Sequence, residues 1–154
     1  MMQRILCTAV AACVLQACSA EAPTAALPSA GITLADIVIN DPLTGDVAYS
    51  HGDHWHGALR LVYGDTRRHR IFFVARGQAS HDAPDSTQRM TLVGRPDLLF
   101  RAEFEDPTLV RWVGDGVEGA FVGQYPGGTR VLFSVWFGAQ TAFRAPPVAV
   151  VVRP

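Results

Sequence analysis

Three of the five histidines of this 154-residue chain lie within six residues of each other, in the segment SHGDHWHGAL (50–59). The histidines are His51, His54, His56, His69 and His81. Imidazole is the commonest metal ligand in proteins and the usual proton carrier near neutral pH. In a His-x-His segment of a strand, both rings point to the same side, and a third histidine nearby can complete a set around one ion. The spacing therefore predicts a metal site.

Zinc is the metal that this set of residues favours. It binds neutral imidazole nitrogen at about 2.0–2.1 Å and prefers four tetrahedral ligands. The predicted ligands are His51, His54, His56 and His81. Asp53, Asp82 or water are the alternatives for the fourth position. Copper(II) is the alternative metal, because affinity alone favours it over zinc on nitrogen ligands.

The same segment, His51-Gly-Asp-His-Trp-His56, resembles the H-x-x-H-x-H motif of the streptococcal polyhistidine triad proteins. Those proteins are surface lipoproteins that bind zinc through this motif. Similar segments occur in exported proteins associated with bacterial zinc uptake. The resemblance covers six residues, and the downstream sequence does not look like those proteins. It implies zinc as the bound metal and a zinc transport system as a partner, but it does not imply their fold.

The first 18 residues, MMQRILCTAVAACVLQAC, have the layout of a secretory signal. Arg4 precedes an apolar run, Ile5 to Ala17, that is shorter than the 20 or so residues of a membrane-spanning helix. The run ends in Leu-Gln-Ala-Cys18, which resembles the lipobox of bacterial lipoproteins and implies that Cys18 is lipidated. We expect a lipoprotein signal peptide over 1–17, a flexible tether over 18–30, and a lipid-anchored protein on the periplasmic or extracellular face of the cell envelope.

The composition excludes several other kinds of site. All three cysteines, Cys7, Cys13 and Cys18, lie in the signal segment, so the domain that follows has neither disulfides nor thiolate ligands. The net charge of −1 gives no electrostatic footprint for nucleic acid. Residues 31–154 are long enough for one domain with a hydrophobic core.

That domain is predicted to be all-β. After Gly31, short β-type runs such as LLFRAEF (98–104) and PVAVVVR (147–153) alternate with turn signals such as Asp41-Pro42, and no sustained helical periodicity is present. About eight strands in about 120 residues favour a single antiparallel β-sandwich of immunoglobulin-like type, with a small β-barrel as the alternative.

Period-two alternation predicts how the histidines are oriented. In the run 54–63, His54 and His56 share the face opposite to the core. The residues expected to face the core are Trp55, Leu59, Leu61 and Tyr63. We predict that this run forms a hairpin with residues 69–76, in a register that places Leu59 opposite Phe73. The same register places His51 opposite His81 at the open end, and His69 on the surface near the turn.

These patterns favour an exported, lipid-anchored zinc-binding protein that acts in metal capture, buffering or delivery and is not an enzyme. The alternative is a structural or interaction module of the envelope in which the metal braces the hairpin. A metal-dependent enzyme is third, since the sequence has no H-E-x-x-H, Ser-His-Asp or phosphate-loop motif. The His54-Trp-His56 segment also resembles the HVH segment of copper–zinc superoxide dismutases, but that family needs more histidines and usually a disulfide.

Overall fold

The computed structural model describes residues 33–154, and in this range it is all-β, as predicted. The one helical element there is a single 3-10 turn, Ser86–Gln88. No helix within this range is long and apolar enough to cross a membrane. The predicted signal peptide, the tether and Cys18 lie outside the described residues.

Twelve strands account for the regular structure of residues 33–154. They are β1 (Leu34–Asp41), β2 (Gly45–His51), β3 (His54–Gly57), β4 (Leu59–Val62), β5 (Thr66–Ala75), β6 (Arg89–Met90), β7 (Leu98–Phe104), β8 (Val110–Asp115), β9 (Glu118–Gly123), β10 (Gly127–Phe137), β11 (Gln140–Arg144) and β12 (Val148–Arg153).

The strands form two sheets in a sandwich-like arrangement, one of them curled into a half-barrel. The first sheet has the order β3-β2-β1-β5-β9-β8, with β6 beside β5. The second has the order β11-β10-β12-β4, with β7 beside β10. Within residues 33–154 the β4–β12 pair is parallel, with Leu59 opposite Val150, and the other pairs are antiparallel.

The core lies between the two sheets and is built from alternate residues of each strand. Phe73 and Phe121 of the first sheet and Phe133 of the second are fully buried. In β12, Val148, Val150 and Val152 are buried while the residues between them are exposed, as period-two alternation requires. Burying each such side chain stabilises the fold by roughly 1.5–3 kcal/mol. This apolar core holds the domain together without disulfides.

The predicted hairpin between residues 54–63 and 69–76 is wrong. Gly57, with φ +88°, divides the first run, and a Cβ at this position would lie 2.5 Å from the carbonyl oxygen of Val47. Because the chain turns there, β3 stays in the first sheet beside β2, whereas β4 crosses to the second sheet beside β12. Phe73 lies opposite Ile37 of β1, not opposite Leu59.

The predicted core face of residues 54–63 is confirmed only in part. Leu59 and Leu61 are buried, and half-buried Trp55 packs against the core. Tyr63 is 55% exposed because it follows the end of β4 and the chain turns away from the sheet there.

Candidate metal site

The histidines are positioned by a hairpin that the sequence did not suggest, between β2 and β3. Its register places His51 opposite His54 and Tyr49 opposite His56. The two residues between the strands are Gly52, with φ +59°, and Asp53. A two-residue turn favours glycine where φ is positive. The His-Gly-Asp-His spacing is therefore that of a tight turn with one histidine on each side.

A buried carboxylate fixes this turn from inside the protein. Asp36 of β1 is 2% exposed, and its Oδ1 accepts hydrogen bonds from the amide of Gly52 at 3.0 Å and the hydroxyl of Ser50 at 3.4 Å. The Ser50 hydroxyl in turn accepts from the amide of Ile37 at 2.9 Å. These bonds hold the backbone on both sides of His51.

We expect Asp36→Ala to destabilise the protein by about 1–3 kcal/mol, because it leaves the donors of Gly52 and Ser50 without their acceptor. Urea denaturation followed by tryptophan fluorescence measures the change. Asp82→Ala removes an exposed carboxylate and is the matched control, with an expected change below about 0.5 kcal/mol. Equal stabilities of the two variants would contradict the role assigned to Asp36.

Three imidazoles form the centre of the site. His54, His56 and His81 each offer a ring nitrogen, and these nitrogens lie within 4.8 Å of one another. The Nε2 atoms of His54 and His56 are 3.2 Å apart. Two ligands of a tetrahedral zinc ion are about 3.3 Å apart, given a Zn–N bond of about 2.0–2.1 Å. This group could hold a metal ion.

The other nitrogen of His54 contacts a carboxylate. Asp53 Oδ1 lies 3.2 Å from Nδ1 of His54, and this interaction holds the pKa of the Asp53 carboxyl below its usual value. A donor role for Nδ1 leaves Nε2 free to bind metal, the arrangement usual for metal-binding histidines. Asp53 thus orients the His54 ring, and neither Asp53 nor Asp82 belongs to the group of three.

His56 is held by a tyrosine that sequence reasoning missed. The ring of Tyr49 stacks on that of His56, with centroids 4.7 Å apart and planes 13° from parallel. Partial removal from water lowers the pKa of His56, and the nearby imidazoles of His81, His54 and His51 lower it further. The neutral form, which can bind metal, is therefore favoured.

His81 reaches the site from outside the hairpin, on the segment that follows β5. Its ring lies 4.7 Å from that of His56 and 5.3 Å from that of His51. Its carbonyl oxygen is 3.4 Å from the Tyr49 hydroxyl. The structure thus brings the His81 ring beside those of His54 and His56, although the strand pairing from which we predicted this proximity does not exist.

His51 lies against the group without belonging to it. Its ring is 5.6 Å from that of His54, and Nδ1 is buried with no hydrogen-bond partner in the part of the chain that the structure describes. A buried nitrogen without a partner costs about 1–3 kcal/mol. Within residues 33–154, no other buried polar side-chain atom lacks a hydrogen-bond partner.

His69 takes no part in the site, and its predicted surface position is wrong. It is 3% exposed, packs edge-on against Phe121 and donates from Nδ1 to the carbonyl of Arg67 at 2.9 Å. Burial lowers its pKa. The sequence indicates this burial, because His69 lies two and four residues before Ile71 and Phe73 and so shares their buried side of the strand.

The donors in this site are imidazole nitrogens, and they suit zinc, copper(II) and nickel better than calcium or magnesium, which prefer oxygen. The site lies at an edge of the first sheet, where β3 is the outermost strand. His54 and His81 are exposed and His56 is half-buried, so an ion held there would be reachable from solvent. Comparison of the sequence with protein-family models and with curated proteins finds no match.

Proposed function

We propose that the protein binds one zinc ion through its histidines and serves in metal capture, buffering or delivery outside the cytoplasm, with no chemistry of its own. The observation that carries this proposal is the 3.2 Å separation of the Nε2 atoms of His54 and His56, with His81 completing the group. Without metal, two ring nitrogens this close share one proton or repel each other. A bound ion satisfies both.

His51 is the proposed fourth ligand. Five of the six ring-to-ring distances among the four histidines, all except that between His51 and His56, run from 4.7 to 6.0 Å. Four imidazoles around one tetrahedral zinc ion have centroids about 5 Å apart, from the Zn–N bond length of about 2.0–2.1 Å. Coordination would also give the buried Nδ1 of His51 the partner that it lacks.

Zinc is proposed ahead of copper(II), and the four rings that would hold it come from three separate parts of the chain. Two lie on β3, one lies at the end of β2, and one lies on the segment after β5. Copper(II) favours a square or tetragonal arrangement, whereas zinc accepts a tetrahedral one. Copper(II) is still the stronger competitor by affinity. Titration with each metal, alone and in competition, tests the choice.

Capture is preferred to structural bracing because the hairpin is already held without metal. Asp36 fixes its turn, and the indole nitrogen of Trp55 donates to the carbonyl of Pro146 at 2.7 Å. The site is also open, since the His54 side chain is 48% exposed. Structural zinc sites are closed and contribute folding energy outright.

Removal of metal is therefore expected to leave the fold intact. Far-UV circular dichroism of the protein before and after treatment with a chelator should show the same strand signal. Addition of zinc should raise the melting temperature by the amount that ligand linkage requires. A loss of strand signal on chelation would instead favour the bracing role.

We also propose that a lipid on Cys18 anchors the protein to a membrane, close to a zinc transport system that would receive the ion. Cys18→Ser should move the protein from the membrane fraction to the soluble envelope fraction, because lipidation requires the thiol. Immunoblots of the two fractions measure the shift, and Cys13→Ser is the matched control. Equal membrane partitioning of Cys18→Ser and the unmodified protein would rule out the lipid anchor.

A further inference from the structure

The ligands of the proposed site come from two parts of the chain that differ in how firmly they are held. His51, His54 and His56 lie on the β2–β3 hairpin, which is fixed by Asp36 and Trp55. His81 lies in the segment 76–85 between β5 and the 3-10 turn, which we call the strap.

The two ends of the strap are tied to the first sheet. At one end, the amide of Gln78 donates to the carbonyl of Ala75 at 3.0 Å. At the other end, Arg89 donates to the carbonyl of Pro84 at 3.1 Å and forms a bidentate ion pair with Asp46 of β2. These contacts determine where the strap begins and ends.

The middle of the strap has almost no such support. Residues 76–83 are all exposed. In the described structure, no backbone amide of residues 79–83 donates a hydrogen bond. The Tyr49 hydroxyl approaches the carbonyl oxygen of His81 at 3.4 Å, and the His81 ring lies against the neighbouring imidazole rings. A segment with few buried contacts and unpaired amides opens at low free-energy cost.

We propose that zinc acts as a latch on this strap: the ion joins His81 to the hairpin, so that residues 76–85 are closed when the site is loaded and open when it is empty. This inference rests on the proposed zinc site and adds its regulation. His81 is the ligand that leaves first, because the other three are carried by a braced hairpin. Opening of the strap then leaves an ion held by three histidines. Its fourth coordination position is free for a ligand from the protein that receives the ion.

The effect of zinc on strap closure and the effect of strap closure on zinc affinity are thermodynamically linked. If zinc binds the closed form more tightly than the open form, it must favour closure by the same factor. The open form lacks the His81 ligand, and His81→Ala lacks it permanently. The largest slowing of strap opening by zinc should therefore equal, within about threefold, the factor by which His81→Ala weakens zinc binding.

Limited proteolysis of the purified full-length protein measures strap opening, because a protease cuts a loop only when the loop opens. The experiment uses proteinase K with zinc buffered at increasing free concentrations, and mass spectrometry maps the cuts. Cleavage of an unstructured peptide under the same conditions corrects for effects of zinc on the protease. His81→Ala is compared with Asp82→Ala, which changes the next residue of the strap and removes no proposed ligand.

We expect saturating zinc to slow cleavage within 76–83 by at least about tenfold in the unmodified protein and in Asp82→Ala, and by less than twofold in His81→Ala. Zinc that binds the unmodified protein without slowing these cuts would overturn the latch alone. Equal protection of His81→Ala would overturn it as well. Absence of zinc binding in a direct titration would overturn the latch and the proposed function together, so the two failures are distinguishable.

Discussion

Replacing both His54 and His56 with alanine is expected to lower the zinc affinity by more than about a thousandfold, because loss of even one hydrogen-bond partner of a ligand costs about 10–100-fold. These two residues supply the nitrogens that lie 3.2 Å apart. Isothermal titration calorimetry, with metal analysis of the dialysed protein, measures the loss. The exposed edge position of β3 leads us to expect that the variant still folds.

His69→Ala is the matched control for this result, since it also removes a histidine. His69 is buried in the core against Phe121 and takes no part in the histidine group. We expect it to leave the zinc affinity within about twofold while lowering the stability of the domain, because it opens a cavity. A comparable loss of zinc binding in both variants would contradict the site.

A fall in pH is also expected to have a large effect on the zinc affinity. Between pH 7.5 and 5.5 we expect the zinc affinity to fall by about a thousandfold or more, because a protonated imidazole cannot bind metal and free histidine has a pKa of about 6.5. Each histidine that must lose a proton adds about tenfold per pH unit below its pKa. The pKa of His56 is lowered, so its imidazole stays unprotonated, and able to bind metal, to a lower pH than an ordinary histidine.

The fold must be followed in the same pH series, because His69 makes stability depend on pH in the same direction. Its pKa is lowered by burial, so the unfolded chain binds more protons as pH falls through the ordinary histidine range, and stability decreases. Circular dichroism at each pH separates loss of zinc from loss of structure. An affinity that stays constant from pH 7.5 to 5.5 in the folded protein would indicate carboxylate ligands instead of imidazoles.

Local patterns were enough to predict several strands of the sandwich. The run LLFRAEF coincides with β7, and β12 lies within the run PVAVVVR. Both runs are bounded by turn signals, and in the structure their residues alternate between the buried and the exposed side of the strand. The sequence pattern does not indicate β2, because its buried positions hold Ala48 and Ser50, which are small or polar and are not typical of a strand's core face.

The pairing of strands could not be predicted in the same way. β4 continues the run that starts at His54, yet it lies beside β12, about 90 residues further along the chain. The change of sheet depends on the positive φ of Gly57 and its close approach to Val47, which sequence periodicity does not reveal. The position of His81 beside the hairpin likewise depends on the ion pair between Arg89 and Asp46, two residues that are distant in sequence.

X-ray absorption spectroscopy at the zinc edge tests most directly whether one zinc ion is held by histidine nitrogens of this protein. For the protein loaded with one equivalent of zinc, we predict four nitrogen neighbours at about 2.0–2.1 Å, with the outer-shell scattering of imidazole rings. His81→Ala should lose one imidazole from this shell. A shell of five or six oxygen neighbours, with no imidazole scattering, would contradict the claim.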